Sequence, residues 1–425
     1  MSQKNQKNQI NQRNPVENFF PKTINELKRY IRDPLYKNSF FIMLTSTSGA
    51  VFGFIFWMLA ARLYSKEDVG IATALISSLS LLILLSRFGL DQSIIRFFPE
   101  KHKSKVFGTS LIITTFFAIL FGVIFTATID IWSPELHLVK RYIFLYLLFL
   151  AANSVASLTG TAFTALRKSE YYFIQNLLAG SRVVFLFPFV FFGALGIFSS
   201  VGISLLLALI FSLPLLASSG VKHITMDTTF LGEAFCFSVG NYIAGLLITI
   251  PNQILPIMVL NILGAEETAH YYIVFTIASL MFIIPGAVST SLFVEGSHKE
   301  DLRKTTLKSA FVIFFLLIPI VIILYFFGGF LLRIMGKDYA EAFNLLKVMA
   351  LSSFLVATSQ IYFSIKKVQK DVKGLIFLSS LLFVLLIGLS YVFMFKFGIV
   401  GIGYAWISSY GLGSSIVGLL VKRGQ

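Results

Sequence analysis

The sharpest chemistry in this sequence is a charge where a charge is expensive. Arg182 lies inside the apolar stretch 172–193, with no acidic residue within a helical turn. If that stretch is a helix starting near Tyr172, ten residues put Arg182 about 15 Å deep in a hydrocarbon core about 30 Å thick. An arginine at such depth needs water, an anion or a protein partner. Two readings follow: it binds an anionic substrate group, or it pairs structurally across helices. Arg87 sits four residues before Asp91, so it reads either as half of an ion pair or as a second contact for the same anion. Arg96 falls at a span's inner rim, where it meets a head group or only sets topology. Lys347 is a couple of turns inside the outer end of its span, within snorkelling reach of the interface.

Polar residues recur at three-and-four spacing in four spans. The sets are Thr73, Ser77, Ser80, Arg87 and Asp91; Asn153, Ser157, Gly160 and Thr164; Asn241, Gly245, Thr249, Asn252 and Pro256; and Thr276, Ser279, Gly286 and Thr290. One such stripe reads as close helix packing through small and hydroxyl side chains. Four stripes across both halves of the chain point to a shared polar cavity. Gly49 and Gly53 in the first span, and Pro251 and Pro256 in the seventh, are candidate hinges, since Pro removes a backbone hydrogen bond and favours a kink. Gly-mediated packing is the other reading of the first pair.

The elements that carry these residues are membrane helices. Charged residues make up only 13% of the chain and hydrophobic ones 56%, against about a quarter charged in a soluble chain. Runs of about 20 apolar residues, enough to cross a bilayer, are expected near 38–62, 69–95, 106–129, 141–166, 172–193 and 196–217, then 233–262, 267–294, 306–330, 341–365, 373–395 and 398–420. The expected fold is an all-α polytopic membrane protein of twelve transmembrane helices, in two parallel-repeat six-helix lobes around a central cavity. The parts are a tail, 1–37; a first lobe, 38–217; a linker, 218–232; and a second lobe, 233–421. In the tail, Thr23 and Glu26 form a capping-box pattern before Ile24, Leu27 and Ile31. That segment reads as an interfacial amphipathic helix or as a solvated basic tail.

The tail and even-numbered loops hold 25 of the 35 Lys and Arg residues, a positive-inside bias that puts both termini in the cytoplasm of a cell (plasma or inner) membrane. RLYSKEDVG at 62–70 lies over ILGAEETAH at 262–270, and TALRK at 164–168 over SIKKV at 364–368, both at an offset of 200. The offset sets Gly49 and Gly53 opposite Thr249 and Gln253, so the interruptible segments match between halves. It maps Arg87, Arg96 and Arg182 to Ala287, Gly296 and Leu382, so deep positive charge belongs to the first half only.

The net charge of +15 is assigned to topology and anionic lipid, not to nucleic acid. There is no phosphate-binding GxxxxGK[ST] loop, no metal-ligand spacing and no carboxylate pair in a long outer loop. Neither a cofactor nor a metal is called for.

AARLYSKEDVGIATAL at 60–75, followed by SRFGLDQSIIRFFPE at 86–100, resembles the polysaccharide and O-antigen flippases of the multidrug/oligosaccharidyl-lipid/polysaccharide (MOP) exporter superfamily, at Ala61, Arg62, Gly70, Gly89 and Arg96. The resemblance implies two lobes working by alternating access, with a polyprenyl-phosphate-linked oligosaccharide as cargo and other polysaccharide-assembly proteins as potential partners. Relatives that move lipid-linked peptidoglycan precursor use cavity arginines for phosphate, a role open here to Arg87 and Arg182. Multidrug exporters of the superfamily use a carboxylate in helix one or seven; here span one has none and Glu233 stands at the edge of span seven. Outward flipping of a lipid-linked glycan is therefore the expected function. An ion-coupled drug antiporter and a membrane enzyme of glycan assembly are the rivals.

Orientation is directly measurable. Cysteines introduced at Lys222 and Lys370 should react with an impermeant maleimide only from the cytoplasm, and one at Glu266 only from outside. The reverse pattern would invert the topology.

Overall fold

A computed structural model describes residues 34–297 and 302–423. The tail with its Thr23–Glu26 capping pattern lies outside the described residues. Backbone amides buried in hydrocarbon must bond within their own segment, which leaves helices as the economical solution for runs this apolar. The described residues are helices joined by short turns, with no strand. The long helices are α1 (Pro34–Leu63), α2 (Lys66–Ser86), α3 (Leu90–Phe97), α4 (Lys103–Ala127) and α5 (Ile143–Ala165). A divided segment follows as α6 (Ser169–Ala179) and α7 (Arg182–Phe185), then α8 (Ala194–Ser218). The second half comprises α9 (Thr228–Leu263), α10 (Ala265–Ser297), α11 (Leu302–Met335), α12 (Phe343–Val368), α13 (Val372–Phe397) and α14 (Val400–Arg423).

Ten of these are long and apolar enough to cross a membrane. Two of the twelve expected spans are not among the ten. The fifth segment is cut after Ala179 and again near Pro188, where a missing N–H stops the helix. The last helix, α14, is 24 residues long and covers the expected span 398–420 from Val400 onward. One correction concerns the second span, expected over 69–95. It ends at Ser86; Phe88 and Gly89 take positive φ values of 49° and 77°, and α3 starts afresh at Leu90. Gly89 is required twice over, since a Cβ there would also stand 2.6 Å from Cβ of Ser238 on α9.

The ends of the bundle differ. At one end, here the basic end, lie the α2–α3 turn, the α5–α6 turn and the start of α9. Asp227 caps α9, its Oδ1 accepting from the amides of Thr229 and Phe230. The Thr229 hydroxyl first, and then the Phe230 amide and Lys105, hold the Asp227 carboxyl down at about 2. The start of α9 is fastened to the first half of the chain. Ser93 Oγ and Ser238 Oγ are 2.7 Å apart, Lys101 pairs with Glu233 at 2.7 Å, and the Tyr242 hydroxyl donates to the Leu85 carbonyl at 2.8 Å.

At the opposite end the two halves share one core. Phe56, Trp57 and Ala60 of α1 and Val69 of α2 cluster with Leu255 and Val259 of α9, Ala269 and Ile273 of α10, and Leu345 and Met349 of α12. Gly70 permits this approach, because a Cβ on it would sit 1.8 Å from the Ala265 carbonyl oxygen. Ser65 caps α2, its Oγ accepting the Asp68 amide, and the Ser65 hydroxyl donates in turn to the Asp68 carboxylate at 2.6 Å. The other oxygen of Asp68 accepts the Ala194 amide at 2.8 Å, tying the start of α2 to that of α8. Such charge-assisted bonds contribute about 1.5–3 kcal/mol. Asp68→Ala should therefore lower the thermal midpoint of the purified protein visibly, whereas Asp130→Ala, on an exposed pair, should not.

Candidate substrate-binding site

The fifth segment runs alongside α1 from the basic end inward, and its contacts change character with depth. At the basic end Lys37 pairs with Glu170 at 2.7 Å and Asn38 accepts the Ser169 amide. Further in, the Asn176 amide donates to the Thr45 carbonyl at 3.2 Å and to Ser48 Oγ at 3.0 Å. Gly49 faces that same amide, and Gly180 lies on the Phe52 ring with no room for a side chain. The helix breaks at this point, and the next residue but one is Arg182. On the parallel helix, Gly53 is about 22 Å past Asn38 at the helical rise, so the cation sits deep between the two ends.

Around Arg182 the partners are aromatic. Its guanidinium lies over the Phe56 ring, 5.2 Å from the centroid, and its Nη2 is 3.6 Å from where a Cβ on Gly53 would be. Among the described residues no carboxylate comes within ion-pair distance of it, and its buried Nε has no hydrogen-bond partner. The Tyr272 hydroxyl, from α10 of the other half, is within electrostatic reach. Tyr272 stacks at a tilt against Trp57, centroids 4.6 Å apart. Beyond the break the Leu186 carbonyl, left without a helical partner, accepts the Tyr64 hydroxyl at 2.7 Å.

The other predicted arginines are elsewhere. Arg87 is the C-cap of α2, not a mid-helix residue. It donates to Ser157 Oγ on α5 at 2.5 Å and stands 3.9 Å from Asp91 across the α2–α3 break, with its Nε buried and unpartnered. Arg96, half-exposed on α3, pairs with Glu100 over the Phe97 ring. The three arginines are thus spread over separate elements.

Several predicted lining residues turn their hydroxyls back on their own helices. Thr249 bonds the Gly245 carbonyl, Thr276 that of Tyr272, and Ser279 that of Thr276. Ser77 is buried, while Ser80, Asn153 and Asn252 are half-buried. The side chain of Asn241 lies outside the described residues. The candidate hinges occupy unbroken helices: α1 is continuous through Gly49 and Gly53, α9 through Pro251 and Pro256. The interruption that does exist, at Gly180–Ser181, went unread although Gly-Ser followed by Pro188 and Gly193 signals it. Phe56, Trp57 and Tyr272 also went unread, because aromatic residues are too common in this chain to stand out.

Of the family-motif residues, Gly89 and Arg96 lie at the basic end with α3, whereas Ala61, Arg62 and Gly70 lie at the opposite end. Arg62 Nε donates to the Ile334 carbonyl at 2.7 Å, and Lys66 pairs with Glu266 at 3.1 Å, both joining the two halves. Ala61 and Arg62 line the cleft between them with Lys337 and Asp338. Toward the basic end α1 and α10 part, leaving a largely apolar cavity of about 570 Å³ lined by Ser46, Ala50, Phe54, Leu280 and Ile283.

Because Arg182 has no carboxylate to strand, Arg182→Met should leave the thermal midpoint of the purified protein unchanged or raise it. A destabilisation of about 3–5 kcal/mol, the cost of orphaning a buried carboxylate, would reveal a structural partner instead.

The fold is shared with known transporters. One is a multidrug resistance MATE family transporter of the MOP superfamily in an inward-facing conformation, with TM-score 0.73, 13% identity, and 88% of this chain and 94% of that one covered. Another is the lipid II flippase MurJ in an inward closed conformation, with TM-score 0.72, 14% identity, and 90% and 87% covered. At such identities the likeness carries the fold alone. A Shigella flexneri protein named for O-antigen transport is 26% identical over 200 residues, 43% of this chain, and the match spans about half (47%) of that relative. The family model described as polysaccharide biosynthesis protein matches residues 35–293; this multi-pass membrane protein belongs to that family.

Proposed function

We propose that the protein is a flippase, moving a polyprenyl-linked oligosaccharide from the cytoplasmic to the outer leaflet by alternating access, for cell-surface polysaccharide biosynthesis. The observation that carries this reading is the Arg182 guanidinium, set in a helix break at the seam of the two halves with no carboxylate beside it. A phosphate entering there exchanges its water for a fixed cation, which lowers the cost of leaving bulk solvent. The basic end is the cytoplasmic one, by the Lys/Arg bias. From it, Arg87 with Ser157, then Asn176, then Arg182 form a graded path for the head group. The prenyl chain remains in lipid at the gap between α1 and α10, whose lining suits it. The contacts of Lys66 with Glu266 and of Arg62 with the Ile334 carbonyl serve as the outer closure. An anion leaving an inside-negative cell gains about 2.3 kcal/mol per charge per 100 mV, so export can run on the membrane potential.

The drug-antiporter reading shares the fold but finds less support in the residues. The described part of α1 holds no acid, and Glu233 is already paired with Lys101.

The test is flipping of a lipid-linked oligosaccharide in proteoliposomes. Arg182→Ala should abolish it in a normally folded protein, while Arg182→Lys should keep part, since Lys still offers a point charge. In a Lys66→Cys/Glu266→Cys protein a thiol cross-linker should stop transport by holding the outer closure shut. A stable Arg182→Ala protein with full activity overturns the anion-site reading.

A further inference from the structure

A second cation is held far from this path. Lys347 is one turn into α12, about 6 Å from its first residue at the helical rise. Its Nζ lies 4.2 Å from the Phe343 ring centroid and 5.3 Å from that of Tyr325 on α11. Lys347 and Tyr325, with Asn344, Phe397 and Tyr404, line a groove of about 410 Å³ on the outside of the second half. Tyr325, Leu351, Phe397 and Tyr404 around the groove are exposed large side chains, so its rim faces the bilayer. No carboxylate comes within 4.0 Å of Lys347 among the described residues.

A lysine that only snorkels extends freely toward water. Here two aromatic faces hold the amine at a concave, lipid-facing site, with no carboxylate facing it among the described residues. Aromatic faces solvate the cation on one side and leave its remaining N–H groups to an acceptor on the other. The exposed Asn344 amide and Tyr404 hydroxyl on the groove's walls add polar hydrogen-bonding capacity at the same level. Val348, Leu351 and Val400 give an apolar floor along which a hydrocarbon chain can lie. We propose that this groove binds the phosphate head group of an anionic phospholipid, in the leaflet at the end away from the basic loops, independently of the transport path through Arg182. Charge complementarity selects the occupant: an anionic head joined to an apolar chain matches a cation joined to an apolar floor.

The experiment uses the purified full chain. Native mass spectrometry should retain phosphatidylglycerol over phosphatidylcholine of the same acyl chains. Lys347→Gln should cut that retention about tenfold, Lys347→Arg should preserve it, and Lys373→Gln, at the basic end, should leave it unchanged. Inorganic phosphate at millimolar concentration should not displace the lipid; displacement would mean a simple anion site and overturn the lipid assignment. Should Lys347→Gln fail to fold, wild-type protein in nanodiscs decides. Acylation of Lys347 by an amine-reactive reagent should slow several-fold in phosphatidylglycerol relative to phosphatidylcholine. Equal rates in the two lipids, or unchanged retention by Lys347→Gln, refute the proposal. Loss of this lipid with Arg182-dependent flipping intact separates its fate from that of the transport reading.

Discussion

A guanidinium placed deep in a membrane protein must be solvated by something, and the arrangement around Arg182 follows from that constraint. Hydrocarbon offers nothing, and an isolated charge there costs several kcal/mol. The chain breaks its fifth segment one residue before the arginine, lays the cation on the Phe56 ring, and keeps Gly53 opposite it so that no side chain crowds the site. A cation–π contact is worth about 0.5–2 kcal/mol, less than the burial of a charge demands. On the proposed function the remaining need falls to water and to the anionic head group in turn, which suits loading and release. A carboxylate would neutralise the arginine permanently and remove that choice.

The break itself creates a second demand, since unpaired carbonyls in the bilayer cost several kcal/mol each. Tyr64 meets it at Leu186, and Asp68 receives the Ala194 amide where the chain resumes. Both residues belong to the short motif between α1 and α2. That motif also supplies Arg62 to the Ile334 carbonyl, Lys66 to Glu266, and Gly70 to the Ala265 carbonyl. One sequence stretch therefore does two jobs: it repairs the broken segment of its own half and makes the contacts to the other half. Movement of the halves at that end is thereby mechanically linked to the segment bearing the cation.

The character of the chain was plain in its sequence because lipid imposes a simple rule on composition and run length. The family motif was legible for the same reason that it is structurally demanding: Gly70 and Gly89 are positions where only glycine fits. The depth of Arg182 was readable by counting residues from Tyr172. Its surroundings were not, because which aromatic ring of 46 Phe residues lies beneath it is decided by tertiary packing. Polar spacing does not by itself separate a cavity wall from a packed helix face. Hydroxyls at three-and-four spacing fit a polar wall, yet Thr249, Thr276 and Ser279 bond their own helices, which apolar surroundings favour equally. The expected single helix over 69–95 failed at Phe88–Gly89 because hydropathy runs on through a turn that only backbone torsion marks.

The helix α9 carries the consequence of these fastenings. Its first turns are held to the first half by Ser93, Lys101 and Leu85, while Leu255 and Val259 near its end lie in the shared core at the opposite end. Rocking the halves apart at either end moves these two anchors relative to each other. A straight helix with every hydrogen bond intact resists such bending. Pro251 and Pro256 remove the bonds that would reach the carbonyls of Leu247 and Asn252, between the anchors. The helix is continuous in this state, so the prolines are not needed to make a kink that already exists. Under the proposed alternating access, their position would lower the cost of bending between the two fastened ends, where a hinge before Tyr242 or after Val259 would not serve.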